Sequence, residues 1–130
     1  MKLDLRAPLV YAQIVDLPVD MTEKDEFLSC YELDPVQGLS IEPDRDRLLG
    51  PLLFHGRLNS GGKSGLTVSL PEGEYLFVQC RSALTRDEWL DLAIEQQKDG
   101  LWEIYKPTNR LYVRYLYEDG RPVTQLFRAL

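Results

Sequence analysis

The sequence predicts an α+β fold: a curved antiparallel sheet with helices packed on one side. Three observations predict it. A capping box at Thr85 and Glu88 opens a long amphipathic stretch, six short runs rich in branched and aromatic residues read as strands, and clusters of turn formers join neighbouring runs. At 130 residues and 15.0 kDa the chain has the size of one domain, so residues 1–130 are expected to share a single core.

In chain order, residues 9–15 form the first expected strand. Residues 22–33 follow as a short helix, opened by the Thr-x-x-Asp pattern at Thr22 and closed by Asp34 and Pro35. Residues 37–49 carry no pattern that assigns them. Strands are then expected at 52–58, 65–70 and 75–80, the last two joined by Pro71, Glu72 and Gly73 as a hairpin. The long helix begins at Arg86 and puts Leu90, Ala93, Ile94, Leu101, Ile104 and Tyr105 on one stripe. It must end before Pro107, and Gly100 within it costs about 1 kcal/mol relative to alanine, which makes a break there the alternative. Strands at 111–117 and 123–127 close the chain as a hairpin through Glu118, Asp119, Gly120, Arg121 and Pro122. The order is strand, helix, strand, strand, twice over: two βαββ units.

Charge narrows the function classes. With 15 basic against 21 acidic residues the net charge is −6, so direct binding to nucleic acid is not expected. Arg45 and Arg47 alternate with Asp44 and Asp46 and cancel locally. The absence of a signal-like or membrane-length apolar run points to a cytoplasmic protein without membrane attachment. Cys30 and Cys80 lack metal or redox spacing and read as reduced structural thiols.

Catalysis finds little footing. His55 is the single histidine, without a visible orienting partner, and reads as structural or surface. Ser60 to Gly65 resembles a phosphate loop superficially, but the spacing is wrong and a strand follows where a helix is required. Glu72 with Glu74 and Asp87 with Glu88 read as solvated pairs, and no triad can be assembled. No catalytic residue, metal or cofactor is expected.

Strand parity carries the functional reading. Leu76, Val78 and Cys80 alternate with Tyr75, Phe77 and Gln79; Val10, Ala12 and Ile14 alternate with Tyr11 and Gln13; Leu111, Val113 and Tyr115 alternate with Tyr112 and Arg114. The second set in each run belongs on the helix-free face, where rings and a few directional groups make a small-molecule site. An ordinary outer face or an oligomer interface explains the same pattern equally well. Phe54, beside His55, joins the candidate set. Trp89 suits the core, Trp102 suits a cleft wall at the helix end, and Gln97, on the apolar stripe, requires a specific partner.

Leu70-Pro71-Glu72-Gly73-Glu74-Tyr75, the long helix bearing Trp102, and Val123-Thr124-Gln125-Leu126-Phe127 together resemble the GyrI-like family of small-molecule-binding domains, also found as the effector-binding part of bacterial transcription activators. The resemblance covers roughly residues 65–130. It implies an effector-binding, regulatory or sequestering role, and it turns Val113 and Tyr115 toward the ligand, which adds Tyr115 to the candidates. The family's Glu-x-Tyr is replaced by Val113-Arg114-Tyr115, so a cationic ligand loses its carboxylate and Arg114 admits an anionic or neutral one. With no helix-turn-helix, any transcriptional role passes through another chain. Two other classes stay open: a protein-interaction or homodimerising module using the aromatic face, and a small hydrolase using a cleft carboxylate and a tyrosine, as in some relatives.

Overall fold

The computed structural model describes residues 1–16, 25–58, 66–103, 105 and 107–130. Its strands are β1 (Lys2–Leu5), β2 (Leu9–Ile14), β3 (Phe27–Leu33), β4 (Leu49–Arg57), β5 (Thr67–Leu70), β6 (Gly73–Cys80), β7 (Arg110–Glu118) and β8 (Arg121–Ala129). A one-turn helix α1 (Arg45–Leu48) leads into β4, and the long helix α2 (Arg86–Trp102) separates β6 from β7. All eight strands belong to one antiparallel sheet in the order β1-β6-β8-β7-β3-β4-β2-β5.

The expected curved antiparallel sheet is present, with α2 on one face, but the two βαββ units are not. The fold is mostly β, a curled half-barrel with two helices. The first difference lies at β3, where residues 22–33 were expected to be helical. Phe27, Ser29, Tyr31 and Leu33 face one side and Leu28 and Cys30 the other, so β3 is apolar on both faces and sits in the middle of the sheet between β7 and β4. A strand buried on both sides loses the alternation that marks it in sequence. The expected cap at Thr22 lies outside the described residues.

The second difference is the link through Pro71 and Glu72. It joins β5 to β6, yet these two strands do not pair: β5 is one edge of the sheet and β6 lies next to the other edge. A two-residue link between opposite ends of an eight-stranded sheet requires the sheet to curl back on itself. The three residues from Leu5 to Leu9 do the same for β1 and β2. Gly56 lies on the concave face, where an added Cβ would come within 2.6 Å of both Tyr11 Cβ and Val68 Cγ2, so the curl draws three strands together across a glycine. The hairpin of β7 and β8 is as expected, with Asp119 and Gly120 both at positive φ.

Two cores result. On the convex side Leu90, Ala93 and Trp89 of α2 pack against Leu33, Leu111, Val113 and Leu126, with Trp89 and Tyr31 rings 5.2 Å apart. The capping box holds the start of α2: Glu88 N–H donates to Thr85 Oγ1 at 3.3 Å and Thr85 N–H to Glu88 Oε1 at 3.0 Å. The helix runs unbroken through Gly100, where a Cβ would lie 2.3 Å from Leu76 Cδ1; close approach to β6 offsets the conformational cost of glycine. It ends at Trp102, three residues before the expected stripe does.

Gln97 has the partners its position demands. Its amide donates to the carbonyls of Gln37 and Ser40 and accepts from Arg128 Nη1 at 2.9 Å. Arg128 is 2% exposed, has no carboxylate partner among the described residues, and also donates to the carbonyls of Gly38 and Thr108. Burial pulls its pKa down to about 10, which leaves it charged at neutral pH. This guanidinium ties the 3₁₀ turn at Gln37–Leu39, α2 and β8 into one unit. Arg128→Met is therefore expected to lower stability by about 3 kcal/mol, because two carbonyls and the Gln97 amide lose their donor, as read from urea denaturation midpoints.

Candidate functional site

The parity read from sequence places its residues correctly with respect to α2. Tyr75, Phe77, Tyr112 and Phe127 lie on the concave face, while Val78, Leu111, Val113 and Tyr115 lie toward the helix. The curl changes what that concave face is. Tyr75 stands edge-on to Tyr112 and Phe127 at 6.1 and 5.7 Å, Phe77 meets Phe127 at 5.0 Å, and Phe54 meets Tyr112 at 6.3 Å. Tyr11, Leu28 and Leu70 fill in from the far strands. The rings thus pack on one another as a second core, and the Tyr75 hydroxyl is capped by the Pro71 carbonyl. Burial raises the Tyr75 phenol to about 12 and the Cys30 thiol, in the same cluster, to about 12, so both stay protonated.

Two candidates fall outside the concave face. Tyr115, turned toward the ligand by the family alignment, packs on α2 and donates its hydroxyl to the Leu84 carbonyl at 3.2 Å. Trp102 is 83% exposed at the C-terminal end of α2, on the layer opposite the concave face, where with Ile41, Glu42, Lys98 and Asp99 it walls a separate hollow of about 260 Å³. Its place follows from the helix phase, which carries position 102 off the buried stripe of Leu90, Ala93 and Gln97.

A polar belt crosses the concave face beside the rings. Arg114 Nη2 donates to Glu26 Oε2 at 3.0 Å, its Nε to the Tyr11 hydroxyl at 2.9 Å, and its Nη1 to Gln125 Oε1 at 2.8 Å. Tyr11 donates to Glu26 Oε2 at 2.6 Å, and Gln125 Nε2 donates to Gln79 Oε1 at 3.1 Å. Burial, reinforced by the Glu26 carboxylate, holds the Tyr11 phenol far above its usual range despite the adjacent guanidinium. Burial opposes the Arg114 charge as well, but Tyr11 and Glu26 outweigh it and its pKa rises. The result is a protonated tyrosine and a charge-balanced ion pair, each side chain 17% exposed. A tyrosine that cannot give up its proton and a carboxylate already paired have little to offer acid–base chemistry. Among the described residues no three His, Cys, Asp or Glu side chains are placed to hold a metal.

Sequence reasoning missed Glu26 and Gln125. Glu26 was assigned to a helix, where no parity argument places it opposite Arg114; Gln125 sits two residues before Phe127, and the same alternation would have put it on the concave face.

The structure also forms an apolar hollow of about 500 Å³ where β2 leaves β4. Among the described residues pairing stops at Ile14 with His55, beyond which the chain bends at Val15 and Asp16 and Leu52 and Leu53 of β4 are exposed. Ile14, Val15, Leu52, Leu53, Phe54 and Leu66 supply the apolar lining; Gln13 and His55 are its polar members. His55 is not isolated: its Nδ1 lies 2.8 Å from Ser29 Oγ on the neighbouring strand, a buried hydroxyl that fixes the ring. Burial lowers the His55 pKa below 6.5, with Asp16 partly opposing, so the ring is neutral at pH 7. Once Nδ1 is engaged, Nε2 is the ring's remaining hydrogen-bonding atom.

Removal of Arg114 tests the belt. Arg114→Met is expected to cost about 3 kcal/mol by leaving Glu26 half-buried and unpaired, and adding Glu26→Gln should recover part of that loss, giving a double-mutant coupling that denaturation would measure. No helix among the described residues is long and apolar enough to cross a membrane. Comparison with known proteins finds no family model, no curated protein and no solved structure that matches this chain.

Proposed function

We propose that the chain is a non-catalytic small-molecule-binding domain that takes a neutral, largely apolar ligand in the hollow between β2 and β4. The observation that carries this is the hollow itself: about 500 Å³, within the range of ligand pockets, mostly aliphatic, with the Gln13 amide and a fixed neutral imidazole as its directional groups. Of the residues the sequence marked for a ligand, Phe54 lines this hollow, and the Tyr112 ring packs behind Phe54 at 6.3 Å. Kinship with the GyrI-like domains, and with it an effector-binding or sequestering role in regulation, belongs to the same proposal; the Leu70-Pro71-Glu72-Gly73-Glu74-Tyr75 entry and the long helix support it.

A second reading has its own observation. Val10, Val15, Leu52, Leu53 and Leu66 are all exposed on this side, where α2 does not cover the sheet, and such a patch suits a protein partner or a second copy. The hydrolase reading is the least supported, since Glu26 and Tyr11 are occupied by Arg114 and by each other.

A thermal-shift screen with neutral, apolar small molecules separates these readings. The expected result is stabilisation that Leu53→Arg abolishes while the ligand-free protein keeps its melting temperature. No stabilisation by any compound, together with a concentration-dependent dimer lost in Leu53→Arg, would favour the interface.

Acid provides an independent check. The folded state disfavours protonated His55, so it binds fewer protons than the unfolded chain in the window from 6.5 down to the lowered folded pKa. Stability from this group is complete above pH 6.5 and lost as the pH falls through that window. Ligand affinity should fall over the same range, because protonation places a cation in an apolar hollow, and His55→Asn should flatten both profiles.

A further inference from the structure

The outer end of β6 carries an edge that no described strand fills. β1 pairs with β6 from Lys2 opposite Leu76 to Leu5 opposite Gly73, and Phe77 N–H donates to the Met1 carbonyl at 2.7 Å. Among the described residues nothing pairs beyond this point with Val78, Gln79 or Cys80 on that side. Alternate residues of an antiparallel strand present amide and carbonyl to the same edge, so Gln79 offers both where Phe77 does. None of the three residues is a proline or carries a charge, the usual devices that blunt an edge.

Beside this edge lies a groove between β6 and α2. It consists of two adjoining hollows of about 160 and 340 Å³ that share Leu92 and Glu95. Val78, Leu84 and Leu92 give it an apolar floor. The helix wall above carries Glu95, Asp99 and Glu103, all exposed, and among the described residues none of them has a cation within 4 Å. A second acidic copy of this chain is poorly matched to such a wall, given the net charge of −6.

We propose that this edge and groove receive an extended segment of a partner protein, basic and apolar in alternation, which adds to β6 in line with β1. Main-chain hydrogen bonds to Gln79 set its direction. Its lysines or arginines, at the alternate positions that face α2, lay their stems over Val78 and Leu92 and meet Glu95 and Asp99, while the apolar residues between them turn to the concave side beside Phe77.

The test uses a fluorescein-labelled peptide of alternating lysine and valine, titrated into the full chain at physiological salt and followed by anisotropy. Saturable binding is expected, weakened about tenfold when alternate peptide nitrogens are methylated, the loss of one or two hydrogen bonds. The exposed pair Glu95→Lys and Asp99→Lys should abolish it and confer binding of the glutamate–valine counterpart, with circular dichroism confirming an unchanged fold. Absence of saturable binding, or binding indifferent to N-methylation, would overturn the proposal. So would a dimer in sedimentation that excludes the peptide, which would seat a second copy on the edge. These outcomes are independent of Leu53 and His55, so failure here leaves the ligand hollow untouched.

Discussion

The packing of Tyr75, Tyr112, Phe77 and Phe127 against one another on the inside of the curl is the interaction on which the rest of the structure depends. These rings lie on β6, β7 and β8, and they are met from the far strands by Tyr11, Leu28 and Leu70. A flat eight-stranded sheet would leave the same rings against water. Curling exchanges that exposure for mutual burial, each large side chain contributing on the order of 2 kcal/mol. The short links between β1 and β2 and between β5 and β6 are sterically possible because of the same curl. With the interior filled from within, the open hollows lie at the margins of the sheet, where strands end before their neighbours do.

Much of the fold was legible because alternation and helical phase are local properties. The capping box at Thr85, the Leu90 and Ala93 part of the α2 stripe, the β7–β8 hairpin and the faces assigned to Tyr75, Tyr112 and Arg114 follow from spacing within a single element. The expected continuation of the stripe to Leu101 and Tyr105 is not buried in the helix, and Ile104 lies outside the described residues. The buried strand β3 was not legible: Phe27-Leu28-Ser29-Cys30-Tyr31 is apolar on both sides and carries no period-two signature. Nor was the separation of β5 from β6, since a Pro-x-Gly link reads identically whether it closes a hairpin or crosses between the two ends of a curled sheet.

The candidate site shows the same division. Parity assigns Tyr11, Gln79, Tyr112 and Arg114 to one face, but whether a face is open or closed depends on the curvature of the whole sheet, which no single strand encodes. Tyr115 and Trp102 leave that face for two separate reasons. The family register turns Tyr115 against its own strand's alternation, and Trp102 walls a hollow on the opposite layer because its phase on α2 sends it outward. The hollow at Leu53 and His55 depends on where β2 stops pairing, a long-range fact visible in the register alone.

The polar belt gives these margins a common support. Gln79, on the part of β6 that no described strand pairs on its outer side, is bonded through its side chain to Gln125, which holds Arg114, which in turn holds Tyr11 on β2, two residues before Gln13 at the hollow. A chain of bonds in which the ion pair is charge-balanced and the tyrosine stays protonated does not rearrange easily, because breaking any member strands a half-buried polar group. The belt therefore fixes the position of β6 relative to β2 across the concave face before anything binds. A ligand or a strand that meets a rigid margin loses less in ordering it, and for a sheet whose interior is already packed this preorganisation is the contribution its buried polar residues can make to recognition.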